Sequence, residues 1–579
     1  MSRLRYPLFL LLALVYPWLV MSEIGNLLQV IWLRLLIFSA LVLLGAFLVK
    51  PARQGTSWTG ALLAAMLLHA SVYKFASFIP DITTYPFSLG WSEASRYYYA
   101  STFLADKIYG EWTPPSVLHP SRYLMQAVPF LVSGLPIWLH RAWQVFLWLS
   151  TSLATGVLLS WRLGFTDKIQ RILFSAWIFL FLFQGPLYYH LLVMVILVLW
   201  GYDRRRFWRT LLVVLLASAW AGISRINWLP VPGFLAAALY FLEERVGEKG
   251  RLNYLVKPAL WVGLGTPLAF AVQQLFERFS GNPAEYFGTS FTSDLLWYRL
   301  LPSVTYPLGV LPAAILVSLP LVLLILGRVV VRRENLGRLP AWQLVHHPVR
   351  LLGLAGILGI LGLGGIIVSV KIGGGSNLHN LDAYLVLLLV TGSYIVLGRS
   401  NEDKPGVDFR APASKILIVL AVAIPVLFAI TAGGPIPERD DTAAVATLIE
   451  LRESVNQVVA EGGEVLFIAE RHLLAFNELE TDPVIHEYEK VFLMEMAMAG
   501  SQPYFDSFYA DLYTHRYGLI VSNPLWPHYQ GRSHSFGEEN DAWVRWVVEP
   551  LTCAYKEWKT LPEVPLVLLV PNEDMGACP

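Results

Sequence analysis

Two carboxylates and a scatter of cations sit where long apolar runs end, and their types suit chemistry on a substrate that carries a phosphate. Asp81 directly follows an apolar run, and Glu93 opens the stretch WSEASRYYYAS (Trp91–Ser101). A carboxylate placed beside a hydroxyl acts as a general base, taking its proton as the oxygen attacks. The plainer reading of Glu93 is a first-turn helix acid, with Ser92 as the cap, and that of Asp81 a water-facing helix end. Tyr97, Tyr98 and Tyr99 would lay an aromatic face against a membrane interface. A second constellation is SVKIGGGSNLHNLD (Ser369–Asp382). Gly373, Gly374 and Gly375 expose backbone N–H groups of the kind that form anion-binding nests. Lys371 adds a point charge, while Ser376, Asn377, His379 and Asn380 add hydrogen-bonding groups. A flexible turn with a snorkelling lysine fits the same residues. Arg225 in SRIN (Ser224–Asn227), His119 and Arg122 in PPSVLHPSRY (Pro114–Tyr123), and Lys74 lie at the same level. A bound lipid phosphate would account for so many cations there.

The elements that must position these groups are membrane helices. The chain has 579 residues, 55% hydrophobic and 15% charged, against about 25% charged in soluble domains. Its net charge of +1 divides unevenly, because residues 433–579 carry 24 acids and 9 bases. A basic membrane part and an acidic aqueous part are expected, with no nucleic-acid interface in either. Apolar segments of nearly spanning length fall near 7–22, 27–49, 57–78, 141–160, 170–186, 187–201, 208–223, 228–242, 254–276, 305–327, 350–369, 380–397 and 414–432. That predicts about thirteen transmembrane helices. With the N-terminus cytoplasmic, Lys and Arg clusters alternate regularly onto the inner loops, as the positive-inside rule requires. Arg162, Lys168 and Arg171 form one such cluster, and Arg204, Arg205, Arg206 and Arg209 another. The first apolar run reads as an anchor, since no small-residue cleavage site follows it. Residues 122–139 are apolar enough to cross, but crossing would invert every later loop. They are expected to lie along the outer surface, broken by Pro129 and Pro136.

Three outer regions remain: a loop from Pro80 to about His140, a second from Glu277 to about Tyr306, and the tail. The inner loops are short, and none carries a P-loop or dinucleotide-binding glycine motif. The runs at 464–470, 518–523 and 564–571 alternate with helical stretches, which predicts a small α/β domain with a parallel sheet. Glu470, Arg471 and His472 follow its first strand, either as solvated loop charges or where open sheets hold ligands. Cys553 and Cys578 are either a disulfide pair or two free thiols. The expected organisation is an N-terminal transmembrane hairpin over 1–55, a transmembrane domain over 56–432 with its outer loop at 80–140, and an extracytoplasmic domain over 433–579.

In this organisation the chain resembles the C-type glycosyltransferases, polytopic enzymes that take sugar from a polyprenyl-phosphate carrier. SEASRYYYA (Ser92–Ala100) is similar to the family's acidic loop element, with Glu93 at its second acid and Ser92 where an Asp is usual. The Pro-rich segment 114–124, the short spans around Gly185–Arg206 and Ile223–Pro232, and the glycine run with Asn377 are also similar to family elements. The resemblance implies inverting transfer to an extracytoplasmic lipid, glycan or protein of the cell envelope, at the plasma membrane. Glu93 or Asp81 would be the base, and Lys371, Gly373, Gly374, Gly375, His379 and Arg225 would hold the phosphate. No cofactor is certain, though a divalent cation is possible. The rivals are a catalytically inactive subunit of the same fold and a transporter. Against the transporter, no internal repeat is evident and the spans hold few ionisable residues.

Overall fold

The computed structural model describes residues 2–52, 55–246, 251–333, 341–344, 347–374, 377–400, 412–479, 485–561, 563–574 and 578. Gly375 and Ser376 lie outside the described residues, as do the inner-loop cations Arg53, Lys249, Arg338, Lys404 and Arg410. Each of the thirteen apolar segments is helical. They begin with Ser2–Met21, Ile31–Val49 and Trp58–Ala76 and continue through Ile137–Arg162, Lys168–Leu182, Tyr189–Gly201 and Phe207–Gly222. Val231–Glu243, Arg251–Phe279, Val310–Val329, Pro348–Val370, Asp382–Val396 and Pro412–Thr431 complete the set. Among the described residues nine helices are long and apolar enough to cross a membrane, or ten if the bent pair Pro7–Met21 and Glu23–Gln29 is one span. Lys168–Leu182, Tyr189–Gly201 and Phe207–Gly222, of 15, 13 and 16 residues, are too short for that set. At 1.5 Å per residue they reach roughly 20–24 Å, against a hydrocarbon core of about 30 Å.

Local chemistry sets several helix starts. Ser57 accepts the Gly60 N–H at 3.0 Å, and Asp167 accepts that of Gln170 at 2.9 Å. Burial separates the helices into an interior and a rim. The apolar stretch of Leu378–Val396 is 89% buried and that of Ile226–Glu243 72%, whereas the other spans bury 22–39% and keep apolar faces for lipid.

The loops divide between two ends of the helix array. At one end arginines close the carboxyl ends of neighbouring helices. Arg162 donates to Leu199 O and Tyr202 O at 2.9 and 3.1 Å, Arg328 to Val396 O at 2.6 Å, and Arg350 to Phe241 O at 2.6 Å. Cations suit helix C-termini because the last carbonyls lack partners and carry the negative end of the dipole. At the other end lie the loops around 80–136 and 280–309, the turn at 371–381, and the tail.

The N-terminal hairpin is not an appendage. Its Arg34 donates to Thr431 O at 2.9 Å and Gly433 O at 3.0 Å, and Tyr16 donates to Ile430 O at 3.0 Å. Its two helices thus pack into one cluster with Trp58–Ala76 and Pro412–Thr431. Residues 122–139 are broken as expected. A helix over Pro120–Gln126 passes into a short 3-10 turn at Val128–Leu131, and the next long helix begins at Ile137.

In the tail, strands β1 (Glu464–Phe467), β2 (Tyr517–Ser522), β3 (Tyr555–Leu561) and β4 (Leu566–Pro571) form one sheet in the order β1-β2-β4-β3. Only β1 and β2 pair in parallel, while β4 runs antiparallel to both neighbours. The expected all-parallel sheet is therefore a mixed one. The edge strand β3, YKEWKTL, escaped notice because Lys556, Glu557 and Lys559 break its apolar pattern, as charges on edge strands commonly do. Alternate residues of β1, β2 and β4 feed two cores. Leu466, Ile520 and Leu569 face one, and Val465, Phe467, Leu519 and Leu568 the other, as the two-residue strand period dictates. Cys553 and Cys578 form a disulfide across 25 residues.

Candidate functional site

Two loops distant in sequence meet at the tail-side end of the array. The Ser121 N–H donates to Ile223 O at 2.9 Å, the Ser121 and Ser224 hydroxyls pair at 2.7 Å, and His119 Nδ1 lies 3.3 Å from Ser224 O. This docking brings Arg122 and Arg225 together around one ring. Their guanidinium carbons lie 4.6 and 5.2 Å from the centre of Tyr188. Gly185 makes the approach possible, because a methyl there would stand 2.6 Å from Leu378 O. The close contact seats Tyr188 against His379, with ring centres 6.4 Å apart. Arg96 also acts electrostatically on Tyr188. Three arginines thus share one neighbourhood, each half-buried.

Counter-charge is scarce there. Among the described residues the one carboxylate within 4 Å of these arginines is Asp382, 3.5 Å from Arg225. Asp382 is itself held by Trp228 Nε1 at 2.8 Å and the Ala383 N–H at 2.7 Å. Arg96 Nε, Arg122 Nε and both ring nitrogens of His190 are buried without a hydrogen-bond partner. Burial, followed by the charges of Arg225 and Arg122, pushes His119 down to about 3, so it stays neutral. Buried polar atoms are nearly always paired, and several orphan donors around one cationic space suit a phosphate. Charge-assisted bonds from guanidinium groups are among the strongest contacts a phosphate receives.

Of the residues singled out in sequence, Arg225 and His379 enter this cluster, and so do His119 and Arg122. Asp81 lies exposed at the end of a short 3-10 turn, within electrostatic reach of Arg96. Arg96 thus acts on both a water-facing carboxylate and the ring of the arginine cluster.

Glu93 does not stand free. Its carboxylate is buried and takes two hydrogen bonds from Arg141, at 3.2 and 3.1 Å, and a third from the Leu89 N–H at 2.6 Å. Arg141 also donates to Thr83 O, Tyr85 O and Phe87 O at 2.7–2.9 Å, binding the strap 83–89 to the helix array. Burial pushes the Glu93 carboxyl up, but Arg141, Arg96 and the Leu89 N–H outweigh it and hold it below the usual range. Glu93 is thus engaged as the buried counter-ion of Arg141. Ser92 precedes the helix without capping it.

Lys371 and the first glycine are also engaged elsewhere. Lys371 Nζ lies 2.9 Å from Glu495 of the tail. Gly373, in the left-handed region at φ 73°, donates its N–H to Glu539 at 3.0 Å. The Gly374 N–H goes to Lys371 O at 2.8 Å, so of the two described glycines only Gly373 donates to an anion, and that anion is the chain's own carboxylate. Gly374 stays one contact from the arginines, since Asn380 Nδ2 donates to Gly374 O at 2.5 Å and Asn380 Oδ1 lies 3.4 Å from Arg225.

Glu470, Arg471 and His472 are neither solvated nor ligand-facing. Glu470 accepts the Ser88 N–H at 2.9 Å, His472 Nε2 lies 2.8 Å from Pro86 O, and Arg471 sits 5.0 Å over Tyr98. They fasten the tail to the first loop. Arg299, between Glu538 and Glu539 at 2.7 Å each, fastens it to the second.

Sequence reasoning passed over Arg96, Arg141, Tyr188 and His190. Arg141 had a signal, since it stands at the outer end of a span, against the charge bias. Arg96 stood within the quoted tyrosine motif. Among the described residues no group of three or more His, Cys, Asp or Glu is arranged to hold a metal ion. No family model matches the chain, and no curated protein matches it.

Proposed function

We propose that the chain is a membrane glycosyltransferase that moves a sugar from a polyprenyl-phosphate carrier to an acceptor on the tail side of the membrane. The reading rests above all on Arg122 and Arg225 converging on Tyr188, with orphan donors around them and one carboxylate, Asp382, 3.5 Å from Arg225. The tail side would be extracytoplasmic, opposite the arginine-capped end, with thirteen crossings in all. In the reaction an acceptor hydroxyl attacks the anomeric carbon as the bond to the phosphate oxygen breaks, with inversion. Asp81 takes the hydroxyl proton. Arg122 and Arg225 receive the carrier phosphate as it leaves, and cations preplaced where charge develops stabilise the transition state most. Glu93 and Arg141 keep the strap beside Asp81 in place.

The test is transfer by the purified chain, in lipid nanodiscs, from polyprenyl-phosphate sugars to cell-envelope extract. Loss of transfer on Arg225→Ala and on Asp81→Asn, with melting curves unchanged, is the expected result. Full activity in both variants would refute the assignment. One observation favours a second reading. With Ser92 at the usual acid and Glu93 bound to Arg141, the arginine cluster would hold the carrier phosphate without transferring its sugar. Donor binding that depends on Arg225, with no turnover on any acceptor, would select that subunit role.

A further inference from the structure

The opposite end of the molecule has a cationic feature that neither helix capping nor sugar transfer uses. Two adjoining cavities, of about 370 and 500 Å³, share Trp161, Arg162, Arg204 and Glu243. Arg205 and Arg209 line the first and Arg399 the second. Some of this charge is already matched. Arg162 pairs with Glu243 at 2.6 Å, Arg204 reaches Glu244 at 3.9 Å, and Arg209 approaches Asp203 at 4.0 Å. Arg205 and Arg399 are exposed and have no ion-pair partner among the described residues. Five guanidinium groups therefore meet three carboxylates around one divided opening.

The opening also lies at a particular depth. Trp161 and Trp200 line it and are 61% and 60% exposed, Trp161 at the end of the long helix Ile137–Arg162 and Trp200 as the exposed tip of the otherwise enclosed Tyr189–Gly201. Tryptophan of this kind marks the level of the headgroups, where basic pockets between membrane helices bind anionic lipid. A free anion would need no aromatic rim.

We infer that these paired cavities bind the phosphodiester headgroup of an anionic phospholipid, with Arg205 and Arg399 as the phosphate contacts and the two tryptophans against the glycerol and upper chains. The matched arginines hold the walls. The cavities would give the molecule an anionic-lipid requirement separate from the donor site.

The test uses the full chain in nanodiscs of phosphatidylcholine, with labelled phosphatidylglycerol added in competition. Each arginine near the surface contributes about 1 kcal/mol to anionic-lipid attraction. Arg205→Ala with Arg399→Ala should therefore weaken phosphatidylglycerol binding roughly thirtyfold. Arg206→Ala, at a side chain 73% exposed and outside both cavities, should leave it unchanged. Arg205→Lys with Arg399→Lys, which keeps the charge, should recover most of the binding and guards against misfolding. Equal affinity in wild type and the double alanine variant overturns the site. Displacement of the labelled lipid by inorganic phosphate at similar concentration overturns the lipid assignment, because the aromatic rim would then contribute nothing.

Discussion

Arginines crowd both ends of the helix array, yet the two sets do different things. At the arginine-capped end, Arg162, Arg328 and Arg350 donate to the last carbonyls of neighbouring helices. At the tail end, Arg122 and Arg225 lie over Tyr188, and Arg96 and Arg122 leave Nε donors unused. A guanidinium carries five N–H donors, so what those donors touch separates a structural cation from one that awaits an anion. Position against the charge bias brings a residue to notice; since Arg171 at the capped end also leaves its Nε unused, it is the convergence of two arginines on one ring that marks the tail-end set.

The largest expected effect tests the pair over Tyr188. Arg225→Ala should cut transfer by about 10²–10³-fold, the usual cost of removing one preplaced electrostatic donor, while circular dichroism shows the fold intact. Next comes Arg141, a tail-end arginine whose donors are all engaged. Glu93→Gln should lower stability by about 3–5 kcal/mol by leaving Arg141 buried without a charge partner, while the fraction still folded keeps its activity. A large loss of turnover at unchanged stability would return Glu93 to catalysis. The pair also predicts acid sensitivity. The Glu93 carboxyl is held below its ordinary 4.5, so its contribution is complete above that pH and fades as pH falls through the lower folded value. Thermal melts across that window should show the fall in wild type and lack it in Glu93→Gln.

At the opposite end, Arg350→Ala should cost about 1–3 kcal/mol by leaving the Phe241 and Leu242 carbonyls unmet, without changing donor affinity. A change in donor affinity would mean the two ends are coupled. The smallest effect belongs to Lys371→Gln. Losing its contact to Glu495 should cost about 1 kcal/mol and speed proteolysis between membrane part and tail, with phosphate binding unaltered.

The helices were legible because lipid imposes a long apolar run on every span, a constraint that a single sequence displays directly. The alternation of charge fixed which loops share an end, and the docked tail agrees with it. Arg122, Arg225, His119 and His379 were legible for the same reason, as polar groups on the side that should be poor in cations. What escaped was partnership. Glu93 looked available because Arg141 is 48 positions away, and Lys371 because Glu495 is 124 away. Nothing local announces such neighbours. The mixed sheet escaped likewise, because a strand's direction depends on where the chain returns rather than on its own residues.

Arg34 carries a consequence for how the molecule is made. The guanidinium enters the bilayer with the second helix, but the carbonyl that it closes at Thr431 follows 397 residues later. At about 5–20 residues per second, the ribosome takes roughly 20–80 s to supply it. Through that interval the early hairpin must keep a charge near the lipid surface, or borrow a partner from the insertion machinery. Only emergence of the last span supplies that carbonyl, so the hairpin is tied to the rest of the membrane domain while the tail is still being made.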